Sequence, residues 1–171
     1  IALACRESGS GLCYLSTDYV FDGTAEEPYE TGDVPNPVSV YGRSKYKGER
    51  LAASLVPNHY ILRTSWVFGA NGNNFVKTML KLGRHQKTLW VVSDQIGSPT
   101  YTVDLADLIA DLIRTGKFGI YHGTNSGCCS WADFAEEIFR QMNWNVQVER
   151  IPSSGYPAKA ERPKNSRLSK Q

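Results

Sequence analysis

Short apolar runs alternate with helical patterns along most of this chain. The runs are nearly continuous in apolar character, which is typical of strands buried on both faces of a sheet. Between them, apolar positions recur at helical spacing, most clearly over residues 102–114. Predicted strands cover residues 12–16, 60–64, 89–92, 119–122 and 146–151, and predicted helices cover residues 38–55, 73–84, 102–114 and 130–142. This alternation indicates an α/β fold with a mostly parallel sheet.

The charge balance of the chain limits its partners. With 19 basic and 17 acidic residues the formal net charge is +2, which gives no reason to expect nucleic acid or an anionic membrane as partner. No apolar stretch has membrane-spanning length. One basic cluster near the C-terminus is either a solvated segment or a phosphate-binding one. Its members are Lys159, Arg162, Lys164, Arg167 and Lys170.

The four cysteines form no metal or redox motif. Cys128 and Cys129 are adjacent rather than spaced as a Cys-x-x-Cys pair, and no histidine lies at zinc-ligand spacing from them. Cys13 lies in an apolar run, as a small core residue would. We therefore predict no metal site, and we expect a reducing, cytoplasmic location for these free thiols.

One pair of residues indicates proton transfer. Tyr41 and Lys45 lie four residues apart on a predicted helix, so their side chains share a face. An ammonium beside a phenol stabilises the phenolate and brings that group toward the range useful in acid–base catalysis. Because Tyr-x-x-x-Lys recurs often by chance, the alternative is a surface tyrosine beside a surface lysine.

The ends of two predicted strands give this pair a context. Thr17 and Asp18 lie where the first predicted strand ends, and Trp66 lies just beyond the second. Ligands of open parallel sheets bind beyond the carboxyl ends of the strands. The sequence therefore predicts a hydroxyl, a Tyr–Lys pair and an indole at one edge of the sheet, while Trp66 is equally compatible with core packing.

These positions belong to longer motifs. Residues 15–23 read Leu-Ser-Thr-Asp-Tyr-Val-Phe-Asp-Gly, residues 41–45 read Tyr-Gly-Arg-Ser-Lys, and residues 62–69 read Leu-Arg-Thr-Ser-Trp-Val-Phe-Gly. Later motifs are Asp-Gln-Ile-Gly-Ser-Pro-Thr at residues 94–100 and Arg-Pro-Lys-Asn-Ser-Arg-Leu at residues 162–168. From about Gly11 onward the chain closely resembles the dTDP-4-dehydrorhamnose reductases, a branch of the extended short-chain dehydrogenase/reductase family.

The resemblance implies a reaction and a role for each matching residue. Hydride passes from NADPH or NADH to C4 of dTDP-4-dehydro-L-rhamnose and gives dTDP-L-rhamnose. Tyr41 matches the proton donor, Lys45 the residue that holds the nicotinamide ribose, and Thr17 the hydroxyl that completes the triad. Asp18 matches a substrate contact, and Trp66 matches a residue that packs against the sugar.

Four further residues are candidates for substrate binding. Asn74 and Gln95 carry amides that suit a nucleotide sugar, although loop amides are more often turn formers. Arg162 and Arg167 suit the diphosphate, because a guanidinium makes bidentate contacts to phosphate. The expected partner is thus a nucleotide sugar, without nucleic acid or membrane, and a homodimer stays open as the assembly state.

Part of the expected cofactor site is absent from the sequence. The resembling family holds the pyrophosphate with a Gly-rich strand–helix turn near its N-terminus, and residues 69–72 have the wrong glycine spacing for such a turn. We therefore expect a C-terminal fragment: a partial Rossmann-like parallel sheet, made of the later strands, plus a small α/β substrate-binding lobe. Within this single unit, residues 1–68 and 88–123 are assigned to the sheet with its helices, and residues 69–87 and 124–171 to the lobe. The fragment alone is expected to bind cofactor poorly and to be inactive.

Two other functions compete with reduction. A nucleotide-sugar epimerase or dehydratase uses the same scaffold, but dehydratases of this family usually carry a second acid after the catalytic hydroxyl, and here Tyr19 follows Asp18. A non-catalytic subunit like the regulatory subunit of methionine adenosyltransferase is the other alternative. Such proteins tend to lose the Arg-Thr-Ser-Trp motif, which this chain keeps at residues 63–66.

Overall fold

The computed structural model describes residues 1–156, 160 and 162–170 and shows alternating helices and strands. Five α-helices are described: α1 (Ala2–Ser8), α2 (Val40–Leu55), α3 (Phe75–Gly83), α4 (Thr102–Arg114) and α5 (Trp131–Gln141). The strands are β1 (Leu12–Thr17), β2 (His59–Thr64), β3 (Val67–Phe68), β4 (Thr88–Val92), β5 (Ile96–Gly97), β6 (Thr100–Tyr101), β7 (Gly119–His122), β8 (Cys129–Ser130), β9 (Gln147–Ile151) and β10 (Asn165–Ser166). Two 3-10 turns cover Asp18–Val20 and Ser153–Gly155. The predicted α/β class is confirmed.

The main sheet is parallel and has the strand order β1-β2-β7. Its registers align Ser16 with Arg63 and Arg63 with His122, so these three side chains lie on the same face. Five of the six residues of the central strand β2 are buried, which agrees with the continuous apolar run that predicted it. On the opposite face, Leu62 packs in a core with residues of α4. The carboxyl ends of all three strands meet at one edge, and that edge carries the candidate site.

A second parallel sheet lies outside the main one. It consists of β4 and β9, whose registers run from Thr88 with Gln147 to Val92 with Ile151. Helices α3 and α5 cover it, and the shared core is made of Met79, Leu89, Val91, Ala132, Ala135, Ile138 and Phe139. The sequence division placed residues 88–92 with the main sheet, and here the structure differs: β4 pairs only with β9 among the described strands. Pairing between strands some sixty residues apart is a long-range property that local periodicity does not contain.

Short strands connect the two sheets. The antiparallel pair β5–β8 and the parallel pair β5–β10 form a three-stranded sheet, and β3 pairs with β6. An isolated bridge joins Tyr29 to Leu168. The C-terminal segment therefore runs back to the loop that follows β1, and this return brings residues 162–168 near the candidate site.

Helix ends follow their capping residues. Gly9 ends α1 in the left-handed conformation, which glycine adopts readily. The Ser39 hydroxyl accepts the Gly42 N–H at the start of α2. Ser130 and Asp133 form a capping box at the start of α5. Within the described part of the chain, no helix has the length and apolar character needed to cross a membrane.

Candidate active site

Thr17 and Asp18 lie at the carboxyl end of β1, where the strand turns into a 3-10 helix. The Thr17 hydroxyl caps this turn by accepting the Tyr19 N–H at 3.2 Å, and it donates to Asp18 Oδ1 at 2.9 Å. Thr17 is 6% exposed and Asp18 3% exposed. Burial raises the pKa of the Asp18 carboxyl to about 6, with hydrogen bonds from Ser166, Thr17 and the backbone opposing the shift. The strand end therefore presents a hydroxyl coupled to a carboxyl that resists ionisation.

Helix α2 packs directly on the residues that follow β1. A Cβ on Gly42 would lie 2.1 Å from the Tyr19 carbonyl oxygen, and a Cβ on Gly48 would lie 2.1 Å from the Tyr14 hydroxyl. Both contacts are possible only because these positions lack a side chain. These two glycines therefore let α2 approach Tyr19 and Tyr14 closely.

Tyr41 and Lys45 project from the start of α2 toward the same strand end. The Tyr41 side chain is 54% exposed, and its ring meets the Tyr19 ring edge-on with 5.7 Å between centroids. Lys45 Nζ donates to the Leu15 carbonyl oxygen at 2.5 Å and lies 4.3 Å from the centroid of the Tyr14 ring. Leu15 is two residues before Thr17, so the ammonium, the phenol and the hydroxyl lie at one edge of β1.

A buried ion pair, absent from the predicted site, anchors this helix. Arg63 donates to Glu49 through Nε at 3.0 Å and Nη2 at 2.8 Å, and both side chains are almost completely buried. Arg63 also donates to the Thr31 carbonyl oxygen at 3.3 Å and lies over the Phe21 ring. The sequence contains a local sign of this ion pair. An arginine inside an apolar strand needs a charged partner, and a glutamate lies on the helix that precedes the strand.

Trp66 packs inside the protein. Its ring stacks on Trp131 with 3.5 Å between centroids and an interplanar angle of 9°. A Cβ on Gly97 would lie within 2.9 Å of three Trp66 ring atoms, so the indole lies between Trp131 and the Gly97 backbone. Trp66 also has a positive φ of 48°. The Trp66 ring therefore packs against Trp131 and the Gly97 backbone and remains partly exposed.

The predicted amides have partners within the chain. Asn74 caps α3 by accepting the Lys77 N–H, and its amide donates to the Gly69 carbonyl oxygen at 2.8 Å. Gln95 accepts the Trp131 indole N–H at 3.1 Å and donates to the Ser153 hydroxyl at 2.9 Å. Asn74 thus forms local turn and cap contacts, whereas Gln95 connects its loop to α5 and to Ser153.

A cavity of about 1010 Å³ lies beside the strand end, between the loop after β1, the β4–β9 sheet and the C-terminal segment. Its walls include Asp22, Gln95, Trp131, Arg162 and Arg167, so three of the predicted substrate residues line it. Thr17, Asp18, Tyr41, Lys45, Trp66 and Asn74 are not among its lining residues. The structure therefore separates the predicted residues into a predicted proton-transfer group, made of Thr17, Asp18, Tyr41 and Lys45 at the end of β1, and three residues on the cavity wall. Trp66 and Asn74 belong to neither set.

The cavity wall is held by the C-terminal segment. Asn165 donates to the carbonyl oxygens of Ala25 and Glu27 at 2.8 Å each, and Arg167 Nε donates to Asn165 Oδ1 at 2.9 Å. Arg167 also donates to the Glu26 carbonyl oxygen. A Cβ on Gly23 would overlap this segment, which crosses the loop there. Residues 162–168 are thus held against the loop after β1 by hydrogen bonds. Arg162 lies exposed on the same wall of the cavity.

Two further ionisable groups near the site have shifted pKa values, one through burial and one through hydrogen bonds. His122, at the end of β7, has its pKa lowered to about 4 by burial and by the nearby Arg63 guanidinium. Hydrogen bonds from Thr24 and Asn36 hold the pKa of the Asp22 carboxyl at about 2. The described residues contain no cluster of three or more side chains suited to hold a metal ion.

Comparisons with known proteins show what the whole chain is similar to. The dTDP-4-dehydrorhamnose reductase of Aggregatibacter actinomycetemcomitans is 46% identical, with 98% of this chain and 61% of that protein covered. A dTDP-4-keto-6-deoxy-D-glucose reductase of Streptomyces niveus is 43% identical, with 90% of this chain and 54% of that protein covered. The crystal structure of dTDP-4-dehydrorhamnose reductase from Bacillus anthracis str. Ames in complex with NADP superposes with a TM-score of 0.97 at 45% identity, covering 99% of this chain and 60% of that chain.

This chain spans about 60% of the length of the Aggregatibacter and Bacillus proteins. The family model described as the RmlD substrate binding domain matches residues 1–171. Since this model matches every residue of the chain, the chain belongs to the RmlD substrate binding domain family.

Proposed function

We propose that the gene product containing this chain, with any residues that precede Ile1, is a dTDP-4-dehydrorhamnose reductase. In this reaction a hydride adds to C4 of dTDP-4-dehydro-L-rhamnose, the C4 oxygen takes a proton, and dTDP-L-rhamnose forms. The observation that carries the proposal is the meeting of Thr17, Tyr41 and Lys45 at the carboxyl end of β1, in a chain of this family.

The proton is assigned to Tyr41. Its phenol is exposed at the sheet edge and so is accessible to a substrate. The Lys45 ammonium, held by the Leu15 carbonyl oxygen, stabilises the phenolate that remains after the proton leaves. Thr17 supplies a hydroxyl for a hydrogen bond to the same substrate oxygen, and Asp18 holds that hydroxyl.

The residues present fit the ribose end of a nicotinamide cofactor. Among the described residues Lys45 Nζ makes a single hydrogen bond, so two of its three N–H groups are available for ribose hydroxyls. Tyr41 lies one helical turn away on the same face. When bound, the reduced nicotinamide supplies the hydride. Both NADPH and NADH are candidates, and the complex of the Bacillus anthracis relative with NADP supports NADPH.

The nucleotide sugar is assigned to the cavity. Arg162 and Arg167 place two guanidinium groups on one wall, where they suit a diphosphate. Gln95, Asn74 and Trp66 are assigned a supporting role, since their contacts shape the walls and the adjoining loops. We further propose a cytoplasmic location, no nucleic-acid partner, and a homodimer as the assembly to be tested.

The test is an assay of NADPH consumption at 340 nm. The gene product is mixed with NADPH and dTDP-4-dehydro-6-deoxy-D-glucose, with and without the 3,5-epimerase that makes the L-rhamnose precursor. Consumption only with the epimerase supports the proposal. Consumption without it favours the second candidate, a reductase that acts on the unepimerised sugar like the named Streptomyces niveus relative. No consumption in either arm contradicts both.

Tyr41→Phe tests the assigned proton donor. We expect kcat to fall by about 10²–10⁴-fold, the usual contribution of a positioned general acid. Tyr101→Phe is the matched control, because Tyr101 is also partly exposed but lies on β6, away from the strand end. An unchanged kcat for Tyr41→Phe would remove Tyr41 from the mechanism.

A further inference from the structure

The Thr17 hydroxyl has one proton, and that proton is already used. Oγ1 donates it to Asp18 Oδ1 at 2.9 Å and accepts the Tyr19 N–H at 3.2 Å. What remains free on Oγ1 is a lone pair. A ketone oxygen of a substrate also carries only lone pairs. In this arrangement both oxygens are hydrogen-bond acceptors, so Thr17 cannot donate a hydrogen bond to the substrate.

Asp18 is placed to change that arrangement. Its carboxyl is buried, and Oδ2 makes no hydrogen bond to any described residue. The ion pairs of the described residues do not include Asp18. The titratable groups around its turn are Tyr19 on the turn itself, Tyr41 and Lys45 on α2, and Arg162, which acts on Tyr19. The Ser166 hydroxyl of β10 lies near the carboxyl and acts to lower its pKa, against the effect of burial.

We propose that Asp18 is a positioning residue whose neutral carboxyl donates to Thr17 Oγ1 and so releases the Thr17 O–H to the substrate carbonyl oxygen. No covalent bond changes: the acid O–H points to Oγ1, and the Thr17 O–H turns from Asp18 to the substrate. All three hydrogen-bonding positions of Oγ1 are then used, by Tyr19, Asp18 and the substrate. The inference rests on the proposed function and adds to it what sets the direction of the Thr17 hydroxyl.

The proposal predicts that the rate of hydride transfer depends on pH, because only the neutral Asp18 carboxyl releases the Thr17 O–H. The pKa of Asp18 is raised to about 6 by burial, so the carboxyl is neutral below that pH and ionised above it. Ionised Asp18 keeps the Thr17 proton. We therefore expect the single-turnover rate of hydride transfer to fall several-fold as pH rises from about 5.5 to 7.5.

Asp18→Asn tests the proposal directly. An asparagine can present either its NH₂ or its carbonyl group to Thr17 without ionising, so substrate binding selects the donating orientation at every pH. The variant should therefore lose the decline in rate between pH 5.5 and 7.5. In a Thr17→Val background, where no hydroxyl is left to direct, Asp18→Asn should leave the pH profile unchanged. A decline that persists in Asp18→Asn, or an Asp18→Asn protein that is folded but inactive at all pH values, overturns the proposal.

A second measurement needs no activity and separates the two proposals. The side-chain carboxyl carbon of Asp18 is followed by NMR through a pH titration of the substrate-free protein. A midpoint near 6 that shifts in Thr17→Val supports the coupling, even if the reductase assay fails and the proposed function falls. A midpoint at or below 4 means that Asp18 is ionised throughout the working range, and it overturns the inference even if the reductase assay succeeds.

Discussion

At the scale of single residues, a glycine at this site determines how closely α2 approaches the turn that follows β1. Gly42 is the clearest case: it lies between the proposed proton donor Tyr41 and the rest of α2, and its Cα faces the Tyr19 carbonyl oxygen. Tyr19 in turn binds Thr17 through its N–H and meets Tyr41 through its ring. One glycine therefore sets the separation between the two halves of the proton-transfer group.

Gly42→Ala should separate these halves. The added Cβ would overlap a backbone atom, so α2 or the 3-10 turn must move, and overpacking of this kind typically destabilises a protein by about 1–3 kcal/mol. We expect a loss of that size in urea unfolding, together with a lower kcat. Gly32→Ala is the control, because a Cβ there meets nothing within 4 Å and should change stability by less than about 0.5 kcal/mol. Equal stability of the two variants would show that α2 tolerates displacement.

At the scale of elements, the Arg63–Glu49 pair joins β2 to α2. Arg63 also reaches the loop after β1 through the Thr31 carbonyl oxygen, so one buried guanidinium connects three segments around the site. A buried pair of this kind adds little net stability over apolar residues of the same volume, but either charge alone is strongly destabilising. We therefore expect the pair to specify one position of the helix that carries Tyr41 and Lys45.

Variants at this pair separate these two effects. Arg63→Met leaves Glu49 buried without its partner and should reduce the free energy of unfolding by about 3–5 kcal/mol. The double variant Arg63→Met with Glu49→Leu should recover most of that loss, because no charge remains buried. Arg140→Met removes an exposed partner of Glu137 and should change stability far less than Arg63→Met does. A double variant as unstable as Arg63→Met alone would contradict this account.

The elements also show how far sequence reasoning reaches. Strands β1 and β2 and helices α2, α4 and α5 were predicted, because periodicity and capping residues such as Ser130 are local signals. The β4–β9 pair was not, and neither was the stacking of Trp66 on Trp131, because both depend on which distant segments meet. For Asn74 and Gln95 the residue type allowed two roles, and only their partners distinguish them.

At the scale of the whole molecule, two buried groups give opposite contributions to stability as pH changes. Asp18 has a folded pKa of about 6, above its ordinary value of 3.8, so the folded state holds a proton that the unfolded chain releases. Its contribution to stability therefore falls as pH rises from about 4 to 6. His122 has a folded pKa of about 4, below its ordinary value of 6.5, so the unfolded chain binds the extra proton. Its contribution rises as pH rises from about 4 to 6.5.

These two slopes nearly cancel in the wild-type protein, and single variants should expose them. At 1.36 kcal/mol per pKa unit, each group changes the free energy of unfolding by about 2–3 kcal/mol across the window. Asp18→Asn leaves His122 unopposed, so stability relative to wild type should increase with pH between 4.5 and 6.5. His122→Gln leaves Asp18 unopposed, so its relative stability should decrease over the same range. Urea unfolding of the three proteins at matched ionic strength measures both slopes. The carboxylates with lowered pKa values are present in all three proteins, so their contribution to stability cancels when each variant is compared with wild type. Parallel profiles for all three proteins would mean that neither buried group titrates where burial places it.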